Sequence, residues 1–193
     1  MVDSFYKIEY KGDWTPGQEL PQLSTQLDSV RAYQFEVHFV GLPSQVTNAH
    51  DLTLAAKQVS QIGFTVEDIE IHRVNDRVYY PGKPSPEEVT VTFDNLYMKN
   101  TASDLWNWFT TIYDPISGEV TSNAPPGADG AGQFKVNKME IIQLDNSMTP
   151  HSAVELYGAY PKSWKTAEFN YATNEFHTIE VTFRYDFMSQ FNL

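Results

Sequence analysis

Apolar and polar residues alternate along most of this chain. Tyr33, Phe35, Val37 and Phe39 alternate with Gln34, Glu36 and His38, the period of two that a half-buried strand requires. Gly41-Leu42-Pro43 ends that run, because proline has no ladder donor. Val66 to Val74 (VEDIEIHRV) alternates again. Val78 to Tyr80 then leads into Pro81-Gly82-Lys83-Pro84, whose two prolines and glycine predict a turn. Val89, Val91 and Phe93 alternate cleanly with Glu88, Thr90, Thr92 and Asp94. Between these, Leu52 to Ile62 fits a strand or a short helix equally well.

The last third predicts four strands. Phe134, Val136, Ile142 and Leu144 share one parity in the first, interrupted by Lys138 and Glu140. Val154, Leu156 and Tyr160 mark the second, and Phe169 and Tyr171 a short third. Tyr171-Ala172-Thr173-Asn174 has turn chemistry. In the fourth, Ile179, Val181, Phe183, Tyr185 and Phe187 alternate with Thr178, Glu180, Thr182, Arg184 and Asp186.

One segment carries the helical period instead. Leu105, Trp108, Phe109, Ile112 and Tyr113 form a single apolar stripe. Thr101 or Ser103 is placed to cap its start, Asp104 suits the positive end of the dipole, and Pro115 stops it. Many strands with one helix predict a mainly β fold, an antiparallel β-sandwich or barrel with one flanking α-helix. Residues 1–30 lack periodicity and are rich in Gly, Pro and Gln, so they read as an N-terminal arm; Trp14 and Leu20 are candidate anchors on a neighbour. Residues 31–193 then form a single domain, with loop material at 117–132.

Composition narrows the classes. A chain of 193 residues with 41% hydrophobic and 20% charged residues suits one globular domain with a real core. The absence of cysteine excludes disulfides, thiolate metal sites and a cysteine nucleophile. No apolar run approaches a membrane span, and Met1 to Tyr10 has no secretory pattern, which points to a cytoplasmic protein. The formal net charge of −12 repels nucleic acid, since binding rests on Lys and Arg neutralising phosphates.

Candidate chemistry is sparse. The five histidines (38, 50, 72, 151 and 177) form no close ligand pair, and no nucleophile elbow is present. Gly127, Gly130 and Gly132 lie in a Pro-containing stretch unlike a phosphate loop, and Lys162, Trp164 and Lys165 are too few for a nucleic-acid platform. Glu67, Asp68 and Glu70, followed by Asp76, form the densest acidic cluster. A solvated strand face explains it better than paired hydrolase carboxylates, which need a defined cleft. These residues predict a protein that is not an enzyme and carries no cofactor or metal.

Two segments carry a resemblance. The first runs from Thr65 to Pro115: V-E-D-I-E-I-H-R-V-N-D-R-V-Y-Y-P-G-K, then V-T-V-T-F-D-N, then D-L-W-N-W-F. The second runs from Val154 to Met188: E-L-Y-G-A-Y-P-K-S-W, N-Y-A-T-N-E and F-H-T-I-E-V-T-F-R-Y-D-F. In that order, with Tyr33 to Pro43 as a first core strand, they resemble the tail tube protein family of T-even-type contractile-tailed bacteriophages over about two thirds of the chain.

The resemblance implies a structural virion protein, the subunit of stacked hexameric rings that make the DNA conduit inside a contractile sheath. Partners implied are other copies of itself, the tail sheath protein, baseplate and tail terminator proteins, and genomic DNA passing without specific binding. The location implied is the phage tail, assembled in the host cytoplasm. Ser44 to Glu88 is then expected to project toward the adjacent ring, with Asp76, Tyr79, Tyr80, Pro81 and Lys83 as the inter-ring loop. Glu67, Asp68 and Glu70 become candidate lumen or ring-contact residues, and Gln190 to Leu193 a further contact. Related alternatives are a baseplate tube initiator or another injection-system inner tube, including the type VI secretion tube. A carbohydrate-binding sandwich is an alternative of another class.

Overall fold

A computed structural model describes residues 29–46, 48–120, 134–172 and 174–193. Trp14, Leu20 and most of the 116–133 loop lie outside the described residues. Among the described residues the order is β1 (Phe35–Val40), α1 (Ala49–Ala55), β2 (Ala56–Val59), β3 (Phe64–His72), β4 (Arg77–Pro86), β5 (Val89–Asp94) and α2 (Thr101–Thr110). Then follow β6 (Lys138–Leu144), β7 (Pro150–Tyr157), β8 (Tyr160–Thr166), β9 (Thr178–Arg184) and β10 (Phe187–Asn192). Every strand pairing is antiparallel. Sheet I has the order β1-β6-β7-β10, sheet II the order β2-β5-β9-β8, and β3 pairs with β4 alone.

The alternation read from sequence explains the packing of the two larger sheets. Val37 and Phe39 of β1, Val89, Val91 and Phe93 of β5, and Ile179, Val181 and Phe183 of β9 are all buried in one core. Phe39 joins the sheets: its ring lies 6.4 Å from that of Phe93 and 6.1 Å from that of Phe183. Helix α2 adds Leu105 and Trp108 to the same core. Trp108 meets Phe39 edge-on at 5.8 Å and donates its Nε1–H to the Phe134 carbonyl at 2.8 Å. That bond removes the cost of burying the indole N–H.

Several expectations need correction. There are two helices rather than one: the ambiguous 52–62 segment is helix α1 to Ala55 and strand β2 from Ala56. Asn100, not Thr101 or Ser103, precedes the first helical residue of α2, and it makes no side-chain cap bond. Ile112 and Tyr113 lie past the end of α2. Pro81-Gly82-Lys83-Pro84 is no turn but the middle of β4. In a two-stranded ribbon each strand has a free edge, so missing proline donors cost no ladder bond there. The expected strand from Phe134 starts only at Lys138, and Tyr160 opens β8 after a turn at Gly158, whose φ of +65° suits glycine. Phe169 and Tyr171 belong to an exposed loop, not a strand. The long final run splits at Tyr185-Asp186: β9 lies in sheet II and β10 crosses to sheet I, leaving Phe187 exposed. Finally, Ser44 to Glu88 does not project as a whole; only 64–86 forms the hairpin.

Candidate assembly surfaces

The β3–β4 hairpin packs on itself and makes at most marginal contact with other elements. Every residue of β3 is exposed. Register sorts its side chains into two faces. Ile69 lies opposite Tyr80 and Ile71 opposite Val78, an apolar face. Asp68 lies opposite Pro81, Glu70 opposite Tyr79 and His72 opposite Arg77, a polar face. Directly opposed pairs are the unit of ribbon stability. On the polar face Arg77 reaches Glu70 at 3.1 Å, and His72 stands 3.9 Å from the same carboxylate.

A bulge interrupts the ribbon between Val66 and Asp68, whose partners are Pro84 and Pro81. Gly82 sits within it, and a Cβ there would lie 2.7 Å from the Glu67 carbonyl oxygen. Only a residue without a side chain fits this approach. The tip is closed by the Arg73 N–H donating to the Asp76 carbonyl at 2.8 Å, with Val74 fully exposed. The acidic candidates therefore separate: Asp68 and Glu70 share the polar face, Glu67 sits at the bulge and Asp76 in the tip. Among the inter-ring candidates, Tyr79 and Pro81 join the polar face, Tyr80 the apolar one, and Lys83 the bulge.

The free edges of the two sheets differ. In sheet II, β2 has four residues and a register shift. Its other edge, β8, contains Pro161, a further shift and two exposed lysines, Lys162 and Lys165. Helix α2 also packs beside β8, with Trp106 and Trp164 at 5.1 Å. Short, bulged, Lys- and Pro-bearing edges resist pairing. In sheet I, β1 and β10 have six residues each, no proline and unbroken register, although helix α1 packs against β1. Phe187 and Phe191 of β10 are exposed, the former stacked on Tyr157 at 4.5 Å.

The outward face of sheet I holds a charge cluster that local sequence patterns did not reveal. Lys138 reaches Glu140 at 2.5 Å and Glu155 at 2.7 Å, and the Tyr157 hydroxyl donates to the other Glu155 oxygen. Beside it, with His38 opposite Glu140, the His38 ring and the Glu36 carboxylate lie 2.8 Å apart. Hydrogen bonds to Glu140 and Glu155 hold the Lys138 ammonium above the ordinary lysine range. Bonds from Lys138 and then Tyr157 hold the Glu155 carboxyl below the usual carboxylate range. The outward face of sheet II is different in kind. It presents threonines, with the Thr90 and Thr182 hydroxyls 3.2 Å apart, and Glu88 is held low by bonds from Lys162 and Arg184. Among the described residues no three His, Cys, Asp or Glu gather as metal ligands.

The family model of the T4-like virus tail tube protein gp19 matches residues 31–189. The chain belongs to this family. No curated protein matches it. Among solved structures, this tail tube family member is similar to a chain of the PVC sheath–tube complex of an extracellular contractile injection system, in the extended state. The two are 15% identical with a TM-score of 0.66, over 91% of this chain and 100% of that one. It is also similar to a chain of the tube-terminating cap of the anti-feeding prophage, at 16% identity and a TM-score of 0.63, over 86% of this chain and 93% of that one. These likenesses establish that the mainly β, antiparallel fold of this tail tube protein is shared with contractile injection systems.

Proposed function

We propose that this tail tube family protein is a non-enzymatic subunit that closes into rings through sheet I and stacks, ring on ring, through the β3–β4 hairpin. The observation that carries the reading is the hairpin itself. A ribbon that makes at most marginal contact with the rest of the described chain, yet presents Ile69, Ile71, Val78 and Tyr80 on one face, is built to be covered by another copy.

Ring closure uses the open edges. The four strands of sheet I alternate in direction, so β10 of one copy meets β1 of the next antiparallel and the ladder continues without interruption. A closed ring removes every free edge of that sheet. Six copies per ring follow the family resemblance. The outward face of sheet I then lines the channel, with Glu36, Glu140 and Glu155 against Lys138. The Lys138 ammonium is engaged by two carboxylates, so the one lysine in the described strands of sheet I is not free to hold a passing phosphate backbone. Glu67 and Asp68 belong in this reading to the ring junction rather than the channel wall. A contractile sheath outside the tube, a baseplate below and a terminator above are the partners, and DNA of a phage is the cargo.

Negative-stain electron microscopy of the purified full chain over a concentration series tests the reading. Hollow tubes of uniform diameter are expected. A protein that stays monomeric at every concentration, and also fails to extend a tube seeded on a baseplate, overturns it.

A further inference from the structure

Two unpartnered features lie at opposite ends of sheet II. The hairpin leaves the end where β5 begins: the Glu87 N–H donates to the Gly63 carbonyl at 3.0 Å, and the Tyr185 hydroxyl donates to the same carbonyl at 2.9 Å. At the far end, beyond Asp94 and Thr178, two loops meet. The Asn95 N–H donates to the His177 carbonyl at 3.0 Å, tying the β5–α2 loop to the β8–β9 loop. At about 3.4 Å per residue the sheet separates these ends by roughly 20 Å, and the hairpin extends about 30 Å from the other side.

The far end is open and mixes exposed aromatic with polar side chains. Tyr97, Met98, Phe169, Tyr171 and Phe176 are all strongly exposed there. Phe169 stacks on His177 at 4.5 Å, giving one wall of a groove of about 310 Å³ whose lining includes Phe176, Glu168 and Glu175. Glu168 and Glu175 make no ion pair among the described residues, and neither does Arg73 at the hairpin tip. Beside Arg73, Val74 is fully exposed. Among the described residues one end thus carries an exposed Val74 flanked by Arg73 and Asp76, neither in an ion pair, and the other a groove in which Phe169 and Phe176 stand beside two carboxylates without an ion pair.

We propose that the hairpin tip of one copy docks in this groove on a second copy in the next ring, placing Val74 against Phe169 and Phe176 and Arg73 toward Glu168 and Glu175. The proposal rests on the stacked-ring reading and names the surface that receives the hairpin. The contact is heterologous, using different surfaces on the two copies, so it does not close on itself and extends without limit along an axis. An isologous tip-to-tip contact would stop at two rings. Excluding water between apolar groups also strengthens a charge pair that is worth little when exposed.

The cysteine-free chain permits a direct test. Val74→Cys and Phe176→Cys together, assembled and mildly oxidised, are expected to give a ladder of covalent dimers, trimers and longer species on a non-reducing gel. Each single variant gives at most a dimer. Glu175→Cys replaces Phe176→Cys if circular dichroism shows that the latter misfolds. Separately, Arg73→Glu is expected to raise the concentration at which tubes appear about tenfold, with recovery when Glu168→Lys and Glu175→Lys are added. Tubes that form normally from the double-cysteine protein yet give no ladder beyond dimer overturn the docking while leaving stacking intact. Unsubstituted protein that forms no ring or tube overturns both.

Discussion

The sandwich body and the β3–β4 hairpin are built from the same alternation of apolar and polar residues, and they put it to opposite use. In β5 and β9, Val91, Phe93, Val181 and Phe183 meet Phe39 across the core of their own chain. In the hairpin, Ile69 pairs with Tyr80 and Ile71 with Val78, and Ile69, Ile71 and Tyr80 stay exposed among the described residues. The body is stabilised by intramolecular burial. The hairpin is held in register by cross-strand pairs and the Glu70–Arg77 ion pair, a set that leaves an isolated two-stranded ribbon marginal in water. In the proposed stack a neighbouring copy supplies the rest of its stability and couples its ordering to assembly.

Mutations at matched positions separate the two regions. Trp108→Ala removes the largest fully buried side chain and its bond to Phe134, and is expected to cost about 3–5 kcal/mol by chemical denaturation. Ile69→Asp with Tyr80→Asp is expected to leave monomer stability within about 0.5 kcal/mol while abolishing tubes in the microscope. Were that pair to destabilise the monomer as Trp108→Ala does, the hairpin would have an intramolecular partner and the contrast would collapse. Phe191→Lys on the open β10 edge should leave the monomer folded and block ring closure, measured by mass in solution. Gly82→Ala forces a Cβ toward the Glu67 carbonyl, so hydrogen exchange should quicken in 64–86 alone while the body keeps its protection.

The legible part of this molecule was the part whose signal is local. Strands β1, β5 and β9 and helix α2 each bury one face, so their apolar periods stand out in ten residues or fewer. Prolines 81 and 84 misled for a physical reason: they break a ladder in a wide sheet but sit harmlessly in a ribbon with free edges. Helix α1 and β2 share eleven residues with no punctuating turn, and a chain that changes from helix to strand at Ala55-Ala56 leaves no period long enough to read. The charge cluster on sheet I is nonlocal. Lys138 and Glu140 appeared only as interruptions of an apolar run, and Glu155 lies on another strand. Register alone makes Glu140 and Glu155 neighbours. The exposed acids of the hairpin, by contrast, were visible as a cluster because β3 carries them within four residues.

The smallest expected effect concerns that cluster, and it tests whether Lys138 has a role beyond local charge balance. Glu155 has a folded pKa below its unfolded value, so its contribution is complete above the usual carboxylate range and disappears as pH falls through the folded value. Lys138 has a folded pKa above its unfolded value, so its contribution is complete below the ordinary lysine range and is lost as pH rises through the folded value. Near neutrality both are fully present. Lys138→Met leaves Glu140 and Glu155 directly opposed with no cation between them, an unfavourable cross-strand pair. The Glu155 carboxyl should then titrate closer to the usual range by NMR, and the acid limb of the stability curve should shift to higher pH. Monomers are expected to register this modestly, because Lys138 and Glu140 keep partial contact with water although Glu155 is buried. In the tube the same faces from adjacent copies converge, so the shift should grow on assembly if sheet I lines the channel and stay unchanged if it does not.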